Sequence, residues 1–519
     1  MSRVVKYGSV RLAIVAVAVA VVLPLSGCVS AFLPKQVPAT STPVKEKVAP
    51  DLEPFYTQVL TWKSCEKGAF QCTTAKAPMD WKHPPDGSIE LALIRHTATG
   101  NRLGSLLVNP GGPGASGYSF VADSLDYAVD AKLKASYDIV GFDPRGVNKS
   151  SAVKCYQNPK DMDAFLYDIT PGTIGSDAWL AAQNLASKKF GEDCLKYTGK
   201  LLGFVDTVSA ARDLDLLRAI LGDKKLNYLG YSYGTLLGST FAELYPKKTG
   251  RLVFDGVVDP ATTDFQVTAM QAQGFENALK AYLADCLTGT KCPFSGRGTS
   301  GVNAALTKIR ALLTSLDASP LRGSDGREVG SATMFNAIIL PLYSRSNWGY
   351  LSTLFEDVMQ GNADYALQLA DSYNDRNANG TYADNQTEAF IAINCLDYKT
   401  DGSAATLRAE AAKLAQLAPV FGPQMSYGDT CSQWPFQSTR DRVPIVAKGS
   451  APILVVGTTN DPATPYQWAV NVSKELQNGH LVTYKGEGHT AYNKSNSCVN
   501  NAVDDFLVDG TVPKTDPHC

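Results

Sequence analysis

The segment Leu226–Pro246, LNYLGYSYGTLLGSTFAELYP, places a serine between two glycines where an apolar run meets a helical pattern. The run LNYLG is typical of a strand that is buried on both faces, and TLLGSTFAELYP has the spacing of a helix. In the pattern G-x-S-x-G the glycines relieve crowding around a sharp turn, which lifts the serine hydroxyl above the sheet. Because a bare match also occurs by chance, Ser232 is either a nucleophile or a small residue in a tight turn.

Seven apolar segments along the chain favour strands, and helical patterns separate them. The strands are predicted at Ile89–His96, Gly104–Asn109, Tyr137–Asp143, Leu226–Gly230, Arg251–Asp259, Ala451–Gly457 and His480–Gly486. Between two of them, Asp206–Gly222 has the pattern of a helix with an aspartate at its N-cap and a glycine at its stop. This alternation predicts a mostly parallel central sheet flanked by helices.

The interval from Asp259 to Ala451 breaks the alternation, because it contains helical patterns and no comparable buried strand. A crossover between parallel strands needs only about 30 residues, and this interval is several times longer. We therefore predict a mostly helical cap, residues 261–445, inserted between two late strands. The sheet domain is then formed by residues 55–260 and 446–519.

The N-terminus has the pattern of an export signal. Arg3, Lys6 and Arg11 precede the apolar run LAIVAVAVAVVLPL, which is too short for a comfortable membrane span. The run ends in Leu25–Cys28, LSGC, which resembles a bacterial lipobox, the motif that is cleaved before a cysteine whose thiol is then lipidated. Residues 1–27 are thus predicted to be a lipoprotein signal peptide, and the mature protein to be lipid-anchored through Cys28 on the outer face of the cell membrane. A plain secretory signal and an uncleaved anchor are the alternatives.

Residues 28–54 contain five prolines among Ser, Thr, Ala and Lys, and this composition predicts a stalk between the lipid anchor and the domain. Beyond Cys28 the chain has ten cysteines, and an even number in an exported chain favours disulfides. Closeness along the chain favours the pairs 65–72, 155–194, 286–292, 395–431 and 498–519.

The formal charge of -2 leaves no basic excess to neutralise phosphates, so no nucleic-acid partner is expected. The chain has no CxxC pair, and its histidines lie away from the cysteines, which argues against a zinc site. We expect neither a metal nor a cofactor.

If Ser232 is a nucleophile, it needs a base to accept its proton and an acid to orient that base. His489, in GEGHT just past the last predicted strand, is the best base, because a loop there reaches the carboxyl edge of the sheet. Of the five histidines, the other four lie before the serine, on a strand or near the C-terminus: His83, His96, His480 and His518.

The acid is expected at the end of another strand. Asp461, in GTTNDPATP directly after APILVVG, gives the order serine, acid, histidine that α/β-hydrolases have. Asp255 and Asp259, near the end of the preceding strand, are its rivals, since turn aspartates are common for purely local reasons.

The reaction also needs donors for a developing oxyanion. The backbone N–H of Tyr233 is one candidate, and the other comes from VNPGGPGASG, where Gly111 and Gly112 let backbone amides approach a substrate closely. Arg145, in another rich turn at a strand end, is interpreted as structural and not catalytic.

Five motifs together resemble a known family. They are NPGGPG, DPRG, GYSYG, DPATP and GHT, which begin at Asn109, Asp143, Gly230, Asp461 and Gly488. The chain resembles the secreted tripeptidyl and prolyl aminopeptidases of actinobacteria, which are α/β-hydrolases of the proline iminopeptidase type, and it is most similar to the cell-envelope serine-protease lipoproteins of mycobacteria. The likeness covers nearly all of the mature chain.

The resemblance implies that Ser232, Asp461 and His489 form a catalytic triad beneath a helical cap. It further implies that the enzyme forms an acyl-enzyme and releases short N-terminal peptides, tripeptides above all, from peptides or proteins with a free N-terminus. Simple proline iminopeptidases have HGGPG where this chain has Pro110 before the glycines, which weakens any claim of proline specificity. A carboxylesterase or lipase with the same triad is the alternative enzyme, and a binding lipoprotein that keeps the fold without activity is the non-enzymatic one.

An exopeptidase must recognise an ammonium group, which calls for acidic side chains in or under the cap. The segment EAFIAINCLDY offers Glu388 and Asp397, of which Asp397 lies two residues from Cys395. We expect Asp397, and with less weight Glu388, to bind the substrate amine; the alternative is a solvated acid on a helical lid.

Overall fold

The computed structural model describes residues 39–295, 301–428 and 430–519. The predicted signal peptide, Cys28 and the first part of the predicted stalk lie outside these residues. None of the helices in the described ranges combines the length and apolar character that a membrane crossing requires.

Within the described residues, nine strands form one sheet and two short strands form a second. The strands are β1 (Lys63–Cys65), β2 (Phe70–Pro78), β3 (Ser88–His96), β4 (Gly104–Asn109), β5 (Tyr137–Phe142), β6 (Leu226–Tyr231), β7 (Thr249–Asp255), β8 (Leu321–Arg322), β9 (Glu328–Val329), β10 (Ile453–Asn460) and β11 (Gly479–Glu487). All seven predicted strands are confirmed, whereas the sequence does not predict β1, β2, β8 and β9.

The large sheet has the order β1-β2-β3-β5-β4-β6-β7-β10-β11. The pairs β1–β2, β2–β3 and β3–β5 are antiparallel, and all pairs from β5 to β11 are parallel. Asn109 is in register with Gly230, and Asp255 is in register with both Tyr231 and Val456. The carboxyl ends of β4, β6, β7 and β10 therefore meet at one edge of the sheet, where open α/β sheets bind their ligands.

The helices lie on both faces of the sheet and in the cap. They are α1 (Glu53–Tyr56), α2 (Gly117–Ala128), α3 (Ala131–Ser136), α4 (Pro159–Tyr167), α5 (Asp177–Thr198), α6 (Thr207–Leu221), α7 (Tyr233–Leu244), α8 (Asp264–Cys286), α9 (Gly301–Ala318), α10 (Ser331–Leu342), α11 (Trp348–Met359), α12 (Asp364–Tyr373), α13 (Gln386–Asp397), α14 (Ala404–Leu417), α15 (Phe421–Gln424), α16 (Tyr466–Glu475) and α17 (Ser497–Asp509). As predicted, Asp206 caps α6, and Gly222 ends it in the left-handed conformation.

The apolar strand sequences are explained by burial on both faces of the sheet. In β7, Leu252 and Phe254 belong to the hydrophobic cluster on one face, and Val253 between them belongs to the cluster on the other. β4 and β5 are buried along their whole length. With this strand order and helices on both faces, the sheet domain has the predicted α/β-hydrolase fold.

The cap consists mainly of the residues between β7 and β10, where α8–α12, α14 and α15 surround a hydrophobic cluster of their own. The buried side chains of α13, by contrast, belong to a cluster of the sheet domain. Helix α4 contributes to the cap cluster as well, although it precedes β6. Tyr167 belongs to the cap cluster, and Asp163 forms a two-bonded ion pair with Arg376, with distances of 2.7 and 2.9 Å. The prediction that all of residues 55–260 belong to the sheet domain therefore does not hold for α4, because only contacts distant in sequence reveal where this helix packs. Phe190 and Cys194 of α5 belong to a cluster of the sheet domain.

The predicted stalk is shorter than residues 28–54, because the chain lies against the domain from residue 40 onwards. Ser41 N–H donates to the Leu60 carbonyl at 2.9 Å, and Val44 N–H donates to the Ala219 carbonyl at 2.8 Å. Glu46 forms an ion pair with the buried Arg218 at 2.7 Å. The prediction of a stalk is thus wrong for residues 41–54: prolines do not prevent an extended segment from bonding to a neighbouring surface through its other residues.

The five predicted disulfides are confirmed. They join Cys65 to Cys72, Cys155 to Cys194, Cys286 to Cys292, Cys395 to Cys431, and Cys498 to Cys519.

Arg145 is structural, as interpreted from the sequence. It is fully buried, and its guanidinium makes two bonds of 2.7 Å to the carboxylate of Asp213. It also donates to the carbonyls of Pro78, Met79 and Phe204. The ion pair thus joins α6 to the turn that follows β5 and to the end of β2.

Arg145→Met is expected to lower the free energy of unfolding by about 3–5 kcal/mol, since it leaves the buried carboxylate of Asp213 without its partner. Chemical denaturation followed by circular dichroism measures this change. Lys132→Ala is the control, because Lys132 and Asp505 form an exposed pair whose loss costs less than about 1 kcal/mol. Equal losses in the two variants would contradict the structural role of Arg145.

Candidate active site

Ser232 occupies a strained turn between β6 and α7. Its φ of 54° and ψ of -128° lie in a region that residues with a side chain rarely adopt. A Cβ added to Gly230 would lie 2.5 Å from the carbonyl oxygen of Gly234, so the turn closes only with glycines on both sides. Ser232 N–H donates to the carbonyl of Asp255 at 3.0 Å, and the serine side chain is partly exposed. Ser232 is therefore held above the sheet edge, as the sequence pattern predicts.

The glycine-rich loop after β4 lies directly against this turn. A Cβ added to Gly111 would lie 2.9 Å from both Cβ of Ser232 and the amide nitrogen of Tyr233. The N–H of Gly111 donates to Oδ1 of Asn109 at 3.0 Å and is therefore not free to bind an oxyanion, which corrects the expectation for this residue. The N–H groups of Gly112 and Tyr233 have no acceptor among the described residues, so these two are the available donors.

The predicted acid and base are brought together. Nδ1 of His489 lies 2.9 Å from both carboxylate oxygens of Asp461, although the two residues are separated by 28 positions. Both side chains are shielded from solvent, with 12% exposure for the histidine and 0% for the aspartate. A carboxylate on Nδ1 fixes the imidazole tautomer and leaves Nε2 as the atom that can accept a proton.

The carboxylate of Asp461 is itself held by its own loop. It accepts the N–H groups of Ala463, Thr464 and Thr490 at 2.8–3.2 Å and the hydroxyl of Thr464 at 2.9 Å. Three of these four bonds come from residues of DPATP, and the fourth comes from the residue after His489. The carboxylate is therefore oriented mainly by its own loop.

The rival acids do not contact the histidine ring. Asp255 accepts the N–H groups of Ala491 and Tyr492 at 2.8–3.0 Å and so anchors the loop that carries the histidine. Burial raises the pKa of this carboxyl, while Lys494 and the two N–H bonds lower it. Asp259 binds Nδ2 of Asn471 at 2.9 Å.

Ser232 and His489 both approach the end of β7, although no hydrogen bond joins the two side chains among the described residues. The serine N–H is bonded to Asp255, and a Cβ on the next residue, Gly256, would lie 3.1 Å from Cε1 of His489. Catalytic hydrogen bonds are often long in a free enzyme and tighten when substrate binds.

The cap touches two of the loops that carry the acid and the base. The carbonyl of Tyr343, just after α10, accepts the N–H of His489 at 2.8 Å, and the two rings are in edge contact at 5.5 Å. A Cβ added to Gly274 of α8 would lie 2.4 Å from the carbonyl oxygen of Pro462 in the acid loop.

The cap also touches the glycine loop. A Cβ added to Gly114 would lie 2.6 Å from the carbonyl oxygen of Gln386 in α13. These contacts could not be predicted from the sequence, because their cap residues lie in unremarkable helical stretches.

A cavity of about 440 Å³ opens between the glycine loop and the cap. Its walls are formed by Gly112, Pro113, Leu340, Tyr343, Ser372, Tyr373, Asn374, Asp375, Gln386, Thr387 and Phe390. Gly112 supplies one of the free N–H groups, and Tyr343 contacts His489, so the cavity adjoins the reacting groups. A larger cavity of about 770 Å³ lies between α9 and α14, and none of its walls comes from the four loops of the site.

One carboxylate lies in the wall of the site cavity, and it is Asp375. Burial and the neighbouring Asp384 raise the pKa of Asp375 to about 6. Its side chain has no hydrogen-bond partner within the described residues. Sequence reasoning missed Asp375, because it stands in a polar cap segment, DSYNDRNANG, without a motif.

The two acids expected to bind a substrate amine lie elsewhere. Asp397 is buried and accepts both the N–H of Thr207, at 3.0 Å, and its hydroxyl. Burial and Asp206 raise the pKa of Asp397 to about 6. Glu388 is absent from the cavity wall, and burial raises its pKa to about 7. The expectation for Asp397 is wrong, because a contact between α13 and α6 occupies the side chain.

The fold, the elbow serine and the buried Asp461–His489 pair define a serine hydrolase. Residues 418–519 match the family model described as TAP-like protein. Over 483 residues the chain is 33% identical to the serine protease Hip1 of Mycobacterium tuberculosis, covering 90% of this chain and 92% of that protein.

Two further relatives have similar identities. Carboxylesterase B of Mycobacterium tuberculosis is 35% identical, covering 96% of this chain and 95% of its own. The tripeptidyl aminopeptidase of Streptomyces lividans is 31% identical, covering 89% and 86%. The chain therefore belongs to the TAP-like family of α/β-hydrolases, the family of these serine proteases and tripeptidyl aminopeptidases.

Among solved structures, the chain is similar to a proline iminopeptidase from Mycobacterium smegmatis. The identity is 15% and the TM-score is 0.37, with 84% of this chain and 97% of that chain covered. The fold assignment rests on the strand order described above.

Asp461→Asn and Asp255→Asn are expected to have different effects on hydrolysis. The first substitution would disturb the tautomer of His489, and kcat is expected to fall by about 10⁴-fold. The second would weaken an anchor of the histidine loop, a hydrogen-bond effect of about 1 kcal/mol, or roughly fivefold. Steady-state kinetics with a chromogenic ester measures both variants. An equal or larger loss in Asp255→Asn would identify Asp255 as the acid instead.

Proposed function

We propose that this protein is an exported serine aminopeptidase that releases short peptides, chiefly tripeptides, from the free N-terminus of peptide or protein substrates. The observation that carries the proposal is the carboxylate of Asp375 in a cavity that adjoins both the glycine loop and His489. A cavity of this size suits a small ligand, and an ammonium group is the natural partner of a carboxylate that lacks a protein partner.

In the proposed reaction, the hydroxyl of Ser232 attacks the scissile carbonyl while His489 accepts its proton. The N–H groups of Tyr233 and Gly112 bind the oxyanion of the tetrahedral intermediate. His489 then gives the proton to the departing amine, which leaves the N-terminal peptide esterified to Ser232. Water, activated by His489, hydrolyses that ester. Asp461 orients the imidazole and stabilises its charged form throughout.

The substrate N-terminus belongs to the acyl part of this intermediate. Its ammonium group must therefore lie on the acyl side of Ser232 at a distance set by the length of the released peptide. An extended tripeptide spans roughly 10 Å. We assign the site cavity to this peptide and Asp375 to its ammonium group, in place of Asp397 and Glu388.

A carboxylesterase is the second candidate. It is favoured by the relative named carboxylesterase B, which is 35% identical to this chain. The same serine, histidine and oxyanion donors cleave esters, and the difference lies in whether the cavity selects a charged amine.

The amine assignment predicts a pH-dependent preference. The ratio of kcat/KM for a free tripeptidyl substrate to that for its acetylated form is expected to rise with pH through about 6, where Asp375 ionises. It falls again above about 8, where the α-amino group loses its proton. Because the catalytic groups act on both substrates alike, their own pH dependence cancels in the ratio. Asp375→Asn is expected to abolish the preference, and a panel of chromogenic peptides and short-chain esters measures it.

Asp384→Asn is the matched control. Asp384 raises the pKa of Asp375 but lies outside the cavity wall. The control is expected to keep the preference and to move its rising limb to lower pH. A preference that survives in Asp375→Asn would exclude Asp375 as the amine ligand, and activity on esters alone would favour the carboxylesterase.

We also propose that Cys28 carries a lipid that anchors the protein to the outer face of the cell membrane. The pairing of the other ten cysteines with one another supports this, because it leaves no cysteine of the chain as a partner for Cys28.

Detergent partition tests the anchor. In Triton X-114 the full-length protein expressed in an actinobacterial host is expected in the detergent phase. The variant Cys28→Ala is expected either in the aqueous phase or with its signal peptide uncleaved. Cleaved wild-type protein in the aqueous phase would exclude the anchor and favour a plain secretory signal.

A further inference from the structure

The side chain of Tyr233, directly after the nucleophile, points into a buried hydrogen-bond chain. Its hydroxyl is bonded to the hydroxyl of Thr207, the first residue of α6. The hydroxyl of Thr207 donates in turn to the carboxylate of Asp397, the last residue of the cap helix α13. All three residues are at most 5% exposed.

The donor and the acceptor in each of these hydrogen bonds follow from the number of hydroxyl protons. Thr207 has one hydroxyl proton, which goes to the carboxylate, so the proton between the two hydroxyls must come from Tyr233. The other oxygen of Asp397 accepts the N–H of Thr207 at 3.0 Å and lies 3.5 Å from Arg440. Both hydroxyl groups therefore point toward the ionised carboxylate, and neither is left without an acceptor.

This hydrogen-bond chain ends at Tyr233, the residue whose backbone N–H is a proposed oxyanion donor. The backbone N–H of Tyr233 is one of the two free donors beside Ser232, and its direction depends on where the residue is held. The ring of Tyr233 is buried, so its hydroxyl bond to Thr207 restrains the position of the residue. Burial and Asp397 together hold the pKa of the phenol far above its usual value, so it stays a donor.

Helix α13 connects this hydrogen-bond chain to the site cavity. Its first turn contributes Gln386 and Thr387 to the cavity wall, and its last residue is Asp397. The start of the helix is held by Asn385, which donates to the carbonyls of Gly146 and Val153 at 2.9 and 2.8 Å. The cavity wall and the residue that carries the oxyanion donor are thus joined by one helix of 12 residues.

We propose that Asp397 is a positioning residue for catalysis: through Thr207 it holds Tyr233 so that the N–H of Tyr233 meets the developing oxyanion. The cap is then required for the chemical step as well as for substrate selection. The inference concerns the oxyanion and is independent of the peptide released, so it holds for ester and peptide substrates alike.

Asp397→Asn tests the chain with little change in volume. The carboxamide oxygen can still accept the N–H of Thr207, but its NH₂ group donates to the hydroxyl of Thr207, which then donates to Tyr233. The phenol proton is left buried without an acceptor. For a p-nitrophenyl ester, kcat is expected to fall by about 10- to 100-fold, less than the loss of a whole oxyanion donor, with KM within about twofold of the wild type.

A transition-state analogue separates positioning from general loss of structure. An alkyl boronic acid forms a tetrahedral adduct with a serine, and its affinity is expected to fall by the same factor as kcat in Asp397→Asn. Tyr233→Phe and Thr207→Val are expected to behave in the same way. Thr207→Ser keeps the hydroxyl and is expected to retain most of the activity. Tyr282→Phe is the matched control, since Tyr282 is a buried tyrosine of the cap bonded to Ser352, away from the elbow.

The alternative is that Asp397 only caps α6 and joins the cap to the sheet domain. In that case Asp397→Asn lowers the melting temperature while kcat and boronate affinity stay within about twofold of the wild type, and the proposal is overturned. If Asp397→Asn does not fold, Tyr233→Phe decides, because it removes a single oxygen: unchanged kcat and boronate affinity overturn the proposal, and a parallel fall in both supports it. Since the readout is an ester, a failure of the proposed amine recognition leaves this test intact.

Discussion

The sharp turn at Ser232 is the constraint on which the site depends. Its backbone is held in a rarely populated conformation by the bond from Ser232 N–H to Asp255, and it closes only because Gly230 and Gly234 lack side chains. The same turn presents the N–H of Tyr233 beside the serine and leaves room for the glycine loop, which approaches so closely that Gly111 cannot carry a Cβ. The strain is maintained because the parallel strands on both sides are buried and cannot shift.

The cap takes part in the active site and does not simply cover it. Tyr343 accepts the N–H of His489, Gly274 packs on the acid loop, and Gln386 packs on the glycine loop. Asp397 reaches the elbow through Thr207. Each loop of the candidate site is therefore linked to a cap residue, either directly or through Thr207, so a change in the cap can alter the geometry of the site.

The buried carboxylates differ in what satisfies them, and this difference separates their roles. Asp461 is surrounded by donors of its own loop and by His489, Asp255 by the backbone of the histidine loop, and Asp397 by Thr207. A buried carboxylate whose bonds are all made within the protein is a structural or orienting group. Asp375 lies in a cavity wall without such partners, which leaves it available to a ligand.

The sequence by itself determined seven strands of the large sheet, the elbow, and the order of serine, acid and histidine, and it favoured the disulfide pairs that the structure has. Each of these is a local pattern: an apolar run, a glycine spacing, a loop at a strand end, or two cysteines close along the chain. Only the tertiary structure decided that α4 joins the cap, that Gly111 donates its N–H to Asn109, and that Asp375 and not Asp397 faces the site cavity. The reason is physical. Whether a polar group is free to bind a substrate depends on which residues distant in sequence form hydrogen bonds with it, and the spacing of residues along a helical cap does not identify those partners.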